Sequence, residues 1–316
     1  MKLSVVIPAH NPDPGRLRRV LAGLCAQTLP NTEWETVLVN NASVHFPNAP
    51  FFADHLPRNF SVVDEPALGL TAARLRGMAE ASGDILVFVD DDNVLAQGYL
   101  AAIAHRFAEH RQLGVAGGPV VPEFESPPPE WTREFWSLLA LHEQGPETQI
   151  ARGRADAPWP KFAPVGAGLG VRREAAALYA HTLAGQPARR QFDRAGRSLA
   201  SGGDNDLVFT ILHGGWDVGY FPELKVTHLI PPGRLAPDYL GRLNEGIMRT
   251  WVRVLAHHGQ CPWPAIPRWT IPVRIARAWW RDQPWISPAA RVRWRGHVGQ
   301  FRGQSDLSRR PSPSRA

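Results

Sequence analysis

Cysteine and long apolar runs are both scarce in this sequence of 316 residues. The two cysteines, Cys25 and Cys261, are too few and too far apart to indicate a disulfide framework, so a reducing compartment is expected. No apolar run is long enough to span a bilayer. The chain enters a predicted strand at Leu3 without a basic segment and an apolar signal core before it. We therefore expect a cytoplasmic protein, with peripheral contact to the inner face of the membrane left open.

A glycine-rich loop is also missing after the first predicted strand, which ends at Pro8-Ala9-His10-Asn11. A nicotinamide-dependent dehydrogenase needs Gly-x-Gly-x-x-Gly at that place, so the sequence excludes this class. A dehalogenase-type phosphatase is disfavoured because its nucleophilic aspartate lies on the first strand, where this chain has none. A nucleotidyltransferase would carry a glycine-rich, basic phosphate loop there, and it remains the nearest enzymatic alternative.

The most informative feature that is present is a run of three aspartates, Asp90 to Asp92, directly after the apolar residues 85–89. A short apolar run rich in β-branched and aromatic residues is typical of a buried parallel strand. Three adjacent carboxylates repel one another, and a divalent cation relieves the repulsion; Mg²⁺ and Mn²⁺ suit carboxylates together with substrate phosphates. The other interpretation is a solvated acidic turn or a helix N-cap. Ligands of open α/β sheets bind outside the carboxyl ends of the strands, where this run falls.

Strands and helices alternate through the N-terminal third of the chain. Apolar runs at residues 3–7, 36–39 and 60–63 predict strands, and the spacing of Leu17, Val20, Leu21 and Leu24 predicts a helix between the first two. This alternation predicts a parallel α/β sheet. A second helix is predicted over residues 69–82, with its buried side formed by Ala72, Ala73, Leu75, Met78 and Ala79.

Three motifs in this order resemble glycosyltransferase family 2. They are the strand end Val5 to Asn11, the strand end Val39-Asn40-Asn41-Ala42-Ser43, and the stretch from Gly69 through Arg74 and Gly77 to the three aspartates. The resemblance covers about the first third of the chain. It implies a GT-A fold, which is an α/β, Rossmann-like sheet followed by an acceptor-binding C-terminal lobe, and an inverting enzyme that uses nucleotide sugars.

The resemblance also implies which residues hold the donor and a metal ion, Mn²⁺ or Mg²⁺. Asp92 would be a direct metal ligand, with Asp90 acting through water or the ribose and His228 as an additional ligand. The family usually has Asp-Asn-Gly-Ser after the second strand, and Asn40 replaces the aspartate that faces the nucleobase. An amide can still bond a pyrimidine edge because it has both a donor and an acceptor, so we expect a UDP-sugar. The implied donor-binding residues are Pro8, Ala9, His10, Asn11, Asn40, Arg74, Asp90 and Asp91.

Later parts of the chain resemble the family more weakly. Residues 166–174 look like its small-residue strand before an acceptor-side helix, and residues 202–207 look like its Glu-Asp-x-Asp-Leu helix start. Gly203 replaces the glutamate, and Asp204 keeps the position of the general base that an inverting displacement needs. Helix N-capping is the other interpretation of Asp204 and Asp206. Gly168 and Asp206 are the further candidates on the acceptor side, and His228 is either a metal ligand or a half-buried histidine at a strand end.

Positive charge is concentrated near the C-terminus of a chain whose formal net charge is +6. If residues 273–281 are helical, Arg274, Arg277 and Arg281 share one face, with Ile275 and two tryptophans away from it. Basic helices with tryptophan lie in membrane interfaces and attract anionic lipid, so residues 268–295 predict an anionic membrane surface as a partner. The alternative is a helix that packs its tryptophans on the protein and leaves its arginines in water. Nucleic acid is disfavoured because no RNA- or DNA-binding motif accompanies the charge.

The predicted organisation has four parts: a nucleotide-sugar-binding lobe (1–120), an acceptor and catalytic lobe (121–260), a basic tryptophan-rich helical extension (261–303) and a disordered tail (304–316). The predicted activity is hexosyl transfer from a nucleoside-diphosphate sugar to a carbohydrate or lipid-linked acceptor, in the synthesis of cell-surface polysaccharide or glycolipid. A nucleotidyltransferase, or a non-catalytic relative that only binds nucleotide sugars, is the alternative. Gly203 and Asn40 are the residues that favour the non-catalytic relative.

Overall fold

The computed structural model describes residues 1–52, 56–196 and 198–308. It divides into two compact units that differ from the predicted lobes, because residues 140–190 and 204–230 pack with the N-terminal strands. Unit 1 consists of Met1–Glu125, Ala140–Arg190 and Asp204–Ile230, and unit 2 consists of Ser126–Leu139, Gln191–Gly203 and Pro231–Ala316.

Unit 1 contains all of the strands in the described residues and most of the short helices. The strands are β1 (Leu3–Ala9), β2 (Trp34–Asn41), β3 (Phe60–Glu65), β4 (Ile85–Phe88), β5 (Asn93–Leu95), β6 (Leu113–Gly117), β7 (Val120–Phe124), β8 (Gln149–Ala151), β9 (Leu169–Arg172), β10 (Asp217–Tyr220) and β11 (Val226–Ile230). The helices are α1 (Pro14–Cys25), α2 (Leu70–Glu80), α3 (Tyr99–Glu109), α4 (Arg173–Gly185) and α5 (Gly203–His213), whose first residue belongs to unit 2. 3₁₀ turns cover Ala49–Phe52 and Pro187–Phe192, and the last two residues of the second turn belong to unit 2.

An eight-stranded sheet forms the centre of unit 1, with the order β3-β2-β1-β4-β9-β6-β10-β8. Strands β1 to β4 are mutually parallel where they pair, which confirms the predicted α/β class. The chain moves outward from β1 to β3 and then returns to place β4 on the other side of β1. The reversal of direction at β1 and β4 is the kind of switch point at which open α/β sheets bind ligands. The carboxyl ends of β1, β2 and β4 therefore meet at one edge.

A second, three-stranded sheet brings a late segment of the chain to the end of β4. Its order is β5-β11-β7, and β11 pairs antiparallel with β5 so that His228 lies opposite Asn93. The amide of Leu229 also donates to the carbonyl oxygen of Asp92 at 2.9 Å. More than a hundred residues of sequence separate these partners, so the pairing cannot be read from local periodicity.

The packing of α1 matches the prediction, whereas that of α2 does not. Helix α1 buries Leu17, Val20, Leu21 and Leu24, and Asp13 caps it by accepting from the amide of Arg16 at 2.9 Å. In α2 the predicted buried residue Ala79 is exposed, while Arg74 and Gly77 are buried. The reason is close contact with the sheet: a Cβ at Gly77 would lie 2.2 Å from Cγ1 of Val6. The face of α2 is therefore set by this glycine.

Unit 2 is helical in the residues described. Its glycines allow helix α8 (Pro288–Asp306) to approach helix α6 (Pro237–His257) closely: a Cβ at Gly299 would lie 2.2 Å from the carbonyl oxygen of Glu245. No helix in the described part of the chain has both the length and the apolar composition that a bilayer span requires. The helices are α6 (Pro237–His257), α7 (Ile271–Asp282) and α8 (Pro288–Asp306), with 3₁₀ turns at Glu130–Leu139, Pro232–Leu235 and Arg268–Thr270.

The predicted disordered tail starts too early. Helix α8 continues through Asp306, because Gln304 donates to the carbonyl oxygen of Pro264 at 2.9 Å and Asp306 accepts from Arg249 at 2.7 Å. Residues 304–306 are therefore ordered helix, and the predicted helical extension ends three residues later than the sequence indicated. Residues 309–316 of the predicted tail lie outside the described residues.

Candidate active site

The residues after β1 form hydrogen bonds with the last residue of β2 and with the loop that follows it. Nδ1 of His10 donates to the carbonyl oxygen of Asn41 at 2.7 Å, and Nδ2 of Asn11 donates to Nε2 of His10 at 2.9 Å. The oxygen of the Asn11 side chain accepts from the amides of Val44 and His45, which fixes the orientation of its amide group. His10 is therefore held in the Nδ1–H tautomer. Both His10 and Asn11 are exposed at the edge of the sheet, where a ligand can reach them.

Asn40, at the end of β2, forms a pair with a carboxylate on the neighbouring strand. Its Nδ2 donates to Oδ1 of Asp64 at 2.8 Å, and the two residues lie opposite each other in the β2–β3 register. The Asn40 side-chain oxygen accepts a long bond from the amide of Ser43 at 3.4 Å. The negative charge expected at position 40 from the family motif is thus present one strand away, on the exposed Asp64.

The three aspartates lie in a tight turn between β4 and β5, closed by a bond of 3.1 Å from the amide of Asn93 to the carbonyl oxygen of Asp90. No helix begins there, so the N-cap interpretation of this run is wrong. Asp92 is buried, whereas Asp90 and Asp91 are half-buried. Nε2 of the buried His228 lies 3.5 Å from Oδ2 of Asp92. The pairing of β11 with β5 therefore joins two residues that the sequence proposed as ligands of one ion.

The Asp92–His228 pair fits a divalent cation that also binds the substrate. Within the described parts of the chain, no group of three or more His, Cys, Asp or Glu side chains is arranged to hold a metal by itself. Mg²⁺ does not require such a group, because it commonly takes one or two carboxylates and completes its shell with water and substrate phosphates. A carboxylate and an imidazole are both ligands that Mn²⁺ accepts.

Gly166 lies between a guanidinium group and a carboxylate. A Cβ at this position would lie 2.6 Å from Nη2 of Arg74 and 3.2 Å from Oδ2 of Asp204. The amide of Gly166 donates to the same Oδ2 at 2.9 Å. The guanidinium of Arg74 also lies over the ring of Phe88, the last residue of β4, at 5.8 Å from its centroid. The fold thus brings together Arg74 and Asp204, two residues that the sequence proposed independently.

The two further acceptor-side candidates are both buried. Asp206 has no exposed surface and forms an ion pair with Arg189, with 2.8 Å between Oδ1 and Nη2. Gly168 adopts the left-handed conformation with φ of +69°, and its carbonyl oxygen accepts from the hydroxyl of Tyr99. Burial raises the pKa of the Tyr99 phenol, so the hydroxyl keeps its proton and remains a donor. The structure places both candidates in the interior of unit 1, without an open face for a sugar.

Replacing Asp206 by alanine should lower the free energy of unfolding by about 3–5 kcal/mol, which is typical when one partner of a buried ion pair is lost. Arg189 would keep its charge inside the protein with the hydroxyl of Thr210 as a remaining acceptor. Urea unfolding followed by circular dichroism measures the effect. The double variant Asp206→Leu/Arg189→Met removes both charges and should lie much closer to the wild type. Equal stability of Asp206→Ala and the wild type would contradict a structural role for this pair.

Gly203 makes room for a carboxylate within unit 2. A Cβ at Gly203 would lie 2.3 Å from Oδ2 of Asp193, so no other residue fits without moving that side chain. Asp193 is buried and also accepts from the amide of Arg194 at 2.9 Å. The family motif has a glutamate at position 203. In this chain the space next to the start of α5 is filled by a different acidic side chain.

Sequence reasoning did not single out Asp64, Asp193 or the position of Gly166 between two charged groups. Each of these depends on contacts between segments that are distant in the chain. The sequence offered one clue, which is that Asn40 and Gly203 both stand where the family motif has a carboxylate. A search for acidic residues elsewhere that could replace the missing groups would have included Asp64 and Asp193 among many others.

Comparisons with known proteins agree with the geometry. The family model described as Glycosyl transferase family 2 matches residues 4–177, which is more than half of the chain. The glycosyltransferase GlyA of Streptococcus pneumoniae is 30% identical over 124 residues, covering 37% of this chain and 16% of that protein. The succinoglycan biosynthesis protein ExoW of Rhizobium meliloti is 35% identical over 104 residues, covering 31% of this chain and 32% of that protein. The matched segments thus span a third or less of these two curated relatives.

A solved structure with a similar fold is that of residues 1–349 of S. aureus TarS in complex with UDP. It aligns with a TM-score of 0.50 over 97% of this chain and 90% of that chain, at 14% sequence identity. At this identity the likeness shows the fold alone. It confirms the predicted α/β fold class, and one of the two curated relatives, GlyA, is named a glycosyltransferase.

Proposed function

Because the chain belongs to glycosyltransferase family 2 and is a transferase enzyme, we propose that it moves a sugar from a nucleoside-diphosphate sugar to an acceptor hydroxyl with inversion at the anomeric carbon. The observation that carries this proposal is the meeting of Arg74 and Asp204 across Gly166, next to the end of β4. The Arg74 guanidinium suits a diphosphate because it can form charge-assisted hydrogen bonds with phosphate oxygens. The Asp204 carboxylate can accept the proton of the attacking hydroxyl.

The donor would lie along the carboxyl ends of the parallel strands. Backbone and side-chain groups of Pro8 to Asn11 would hold the base and ribose, Asn40 would bond the base edge, and Asp90 and Asp91 would lie beneath. Arg74 would bind the diphosphate. A uridine nucleotide is the favoured donor because an amide can bond a pyrimidine edge, and the structurally similar TarS was solved with UDP.

Glycosyltransferases of this family generally use a divalent metal. In this chain Asp92 and His228 would hold the ion, with Asp90 contributing through water or the ribose. A bound Mn²⁺ or Mg²⁺ would act as a Lewis acid that neutralises negative charge on the leaving diphosphate. Oδ2 of Asp92 and Nε2 of His228 lie 3.5 Å apart, so one ion could be reached by both groups.

Asp204 is the proposed general base of a single displacement. An alcohol has a far higher pKa than a carboxylic acid, so the carboxylate accepts the proton only as the new bond to the anomeric carbon forms. The bond from the Gly166 amide fixes one oxygen of Asp204 at 2.9 Å, and the side chain is half-buried rather than sealed. This fixed orientation of the carboxylate would be its main contribution to the rate at which the hydroxyl attacks.

The acceptor is proposed to be a carbohydrate or lipid-linked carbohydrate of a cell-surface polysaccharide or glycolipid. The name of the similar protein ExoW refers to succinoglycan biosynthesis, which supports a polysaccharide acceptor. A lipid-linked acceptor would place the reaction at the inner face of the membrane, with the enzyme in the cytoplasm.

Isothermal titration calorimetry with UDP, GDP and dTDP in the presence of Mn²⁺ tests the proposed donor. We expect UDP to bind more tightly than the other two nucleotides, with heat that is reduced when EDTA replaces the metal. No binding of any nucleotide diphosphate would contradict the donor assignment. Binding without consumption of any sugar nucleotide would favour the non-catalytic relative.

A further inference from the structure

The solvent-facing side of α7 carries apolar side chains. Val273 is 52% exposed and Trp280 is 71% exposed, and together with the exposed Ala276 they follow the i, i+3, i+7 spacing of one helix face. The buried residue of α7 is Ala278, on another side of the helix. A helix that packs on a globular protein normally turns its apolar side chains toward the protein and its polar side chains toward solvent. Trp280 therefore does not fit the interpretation in which α7 packs its tryptophans on the protein, whereas Trp279 does pack, with its ring 4.9 Å from that of Trp294 in α8.

The residues on either side of α7 extend this apolar face. Trp269 precedes the helix and is 79% exposed, while Trp285 and Ile286 follow it and are 50% and 63% exposed. The ring of Trp285 lies 5.6 Å from that of Trp280 between centroids. Contiguous exposed apolar residues bordered by charge mark an interaction surface. The tryptophan–arginine surface consists of Trp269, Val273, Trp280, Trp285, Ile286, Arg268, Arg274 and Arg277.

The arginines of this surface differ from those of α8. Arg268, Arg274 and Arg277 are exposed, and none has a carboxylate within ion-pair distance among the described residues. The other arginines between residues 281 and 302 all have acidic partners: Arg281 with Asp282, Arg291 with Asp238, Arg293 with Glu134, and Arg295 and Arg302 with Glu245. Arg268, Arg274 and Arg277 thus lie in the same stretch of the chain that exposes Trp269 and Trp280.

We propose that the tryptophan–arginine surface binds the headgroup region of an anionic phospholipid bilayer. Tryptophan favours this region because its ring is apolar and its N–H is polar, and arginine is attracted to anionic lipid. Helix α7 has 12 residues and is about 18 Å long, so it lies in the plane of the interface rather than crossing it. A second copy of the chain fits less well, because a two-fold contact would bring six uncompensated arginines together.

Vesicle co-sedimentation tests the proposal with purified full-length protein. We expect binding to vesicles of phosphatidylcholine with about one third phosphatidylglycerol, and far weaker binding to phosphatidylcholine alone. One arginine near an anionic surface is worth about fivefold in binding. The variant Arg274→Gln/Arg277→Gln should therefore bind roughly 25-fold more weakly at low salt. The matched control Arg58→Gln/Arg111→Gln removes the same charge from exposed positions elsewhere and should bind as the wild type does.

Trp280→Ser separates insertion from long-range attraction. It removes an exposed ring without changing the charge, so the circular dichroism spectrum should be unchanged while binding to anionic vesicles falls and becomes more sensitive to salt. UDP calorimetry of the same variant reports on the donor site independently, so a failure here and a failure of the proposed transferase activity are distinguishable. Equal binding of wild type and both surface variants would overturn the proposal. So would a concentration-dependent dimer in analytical ultracentrifugation that Trp280→Ser abolishes without any effect of lipid.

Discussion

Asp204→Asn should lower turnover of the sugar donor by roughly 10²–10⁴-fold, the usual contribution of a general base. Donor affinity should stay near the wild-type value, because the proposed base contacts the acceptor hydroxyl rather than the nucleotide. The replacement keeps an oxygen that can accept from the Gly166 amide, so the local fold should survive. Nucleotide release from the donor that binds best, together with calorimetry of UDP, measures both quantities.

The control for this experiment is Asp156→Asn, which removes a carboxylate from an exposed position in unit 1 where its partner is Arg154. This variant should be fully active. If Asp204→Asn retains the wild-type rate, Asp204 is only a residue of the first turn of α5. Because Asp206 is sealed in its ion pair with Arg189, it would not be an open replacement for the base in the observed conformation.

Asp92→Ala should abolish the part of nucleotide affinity that depends on Mn²⁺. Removing a group that merely orients a metal ligand costs about 10–100-fold in metal affinity, so loss of a direct ligand should cost at least as much. The fold should persist, since the variant keeps the backbone oxygen of residue 92 that accepts from the amide of Leu229 in β11. Calorimetry of UDP with Mn²⁺ and with EDTA gives the difference directly, without an activity assay.

His228→Ala is the companion variant for the metal, because its imidazole faces the Asp92 carboxylate at 3.5 Å. We expect a smaller loss than for Asp92→Ala, since carboxylate oxygens suit Mg²⁺ and Mn²⁺ better than imidazole does. Asp156→Asn again serves as the control. A Mn²⁺-dependent affinity that survives in Asp92→Ala would contradict the assignment of this carboxylate as a ligand.

The strands whose ends form the proposed donor site were predictable, because the sequence pattern that indicates them involves only neighbouring residues. The apolar runs within β1, β2 and β4 are short and continuous, as in strands buried on both faces, and the polar residues that follow them mark the ligand-binding edge. The predicted helix α1 follows its apolar spacing for the same reason. The alternation of strands and helices was enough to predict a parallel sheet. Its carboxyl edge then had to contain Pro8 to Asn11, Asn40 and the three aspartates.

Features that depend on distant contacts were not predictable. Strand β9 pairs antiparallel between β4 and β6, and its few residues give no sign of that neighbour choice. The buried side of α2 follows from the approach of Gly77 to Val6, and a periodicity of apolar residues cannot show this. The arginines of α8 looked uncompensated in the sequence because their partners Glu134, Asp238 and Glu245 lie far away in the chain.

Proton NMR of the protein with Mn²⁺ and an α-linked UDP-sugar is the most direct test of the transferase assigned to Arg74, Asp204 and the Asp92–His228 pair. A family 2 transferase with this site should consume the donor slowly even when water is the only acceptor, and early spectra should show UDP together with the β-anomer of the free sugar. The Asp204→Asn variant should release both products far more slowly. Early release of the α-anomer, or no consumption of any UDP-, GDP- or dTDP-sugar, would contradict an inverting transferase at this site.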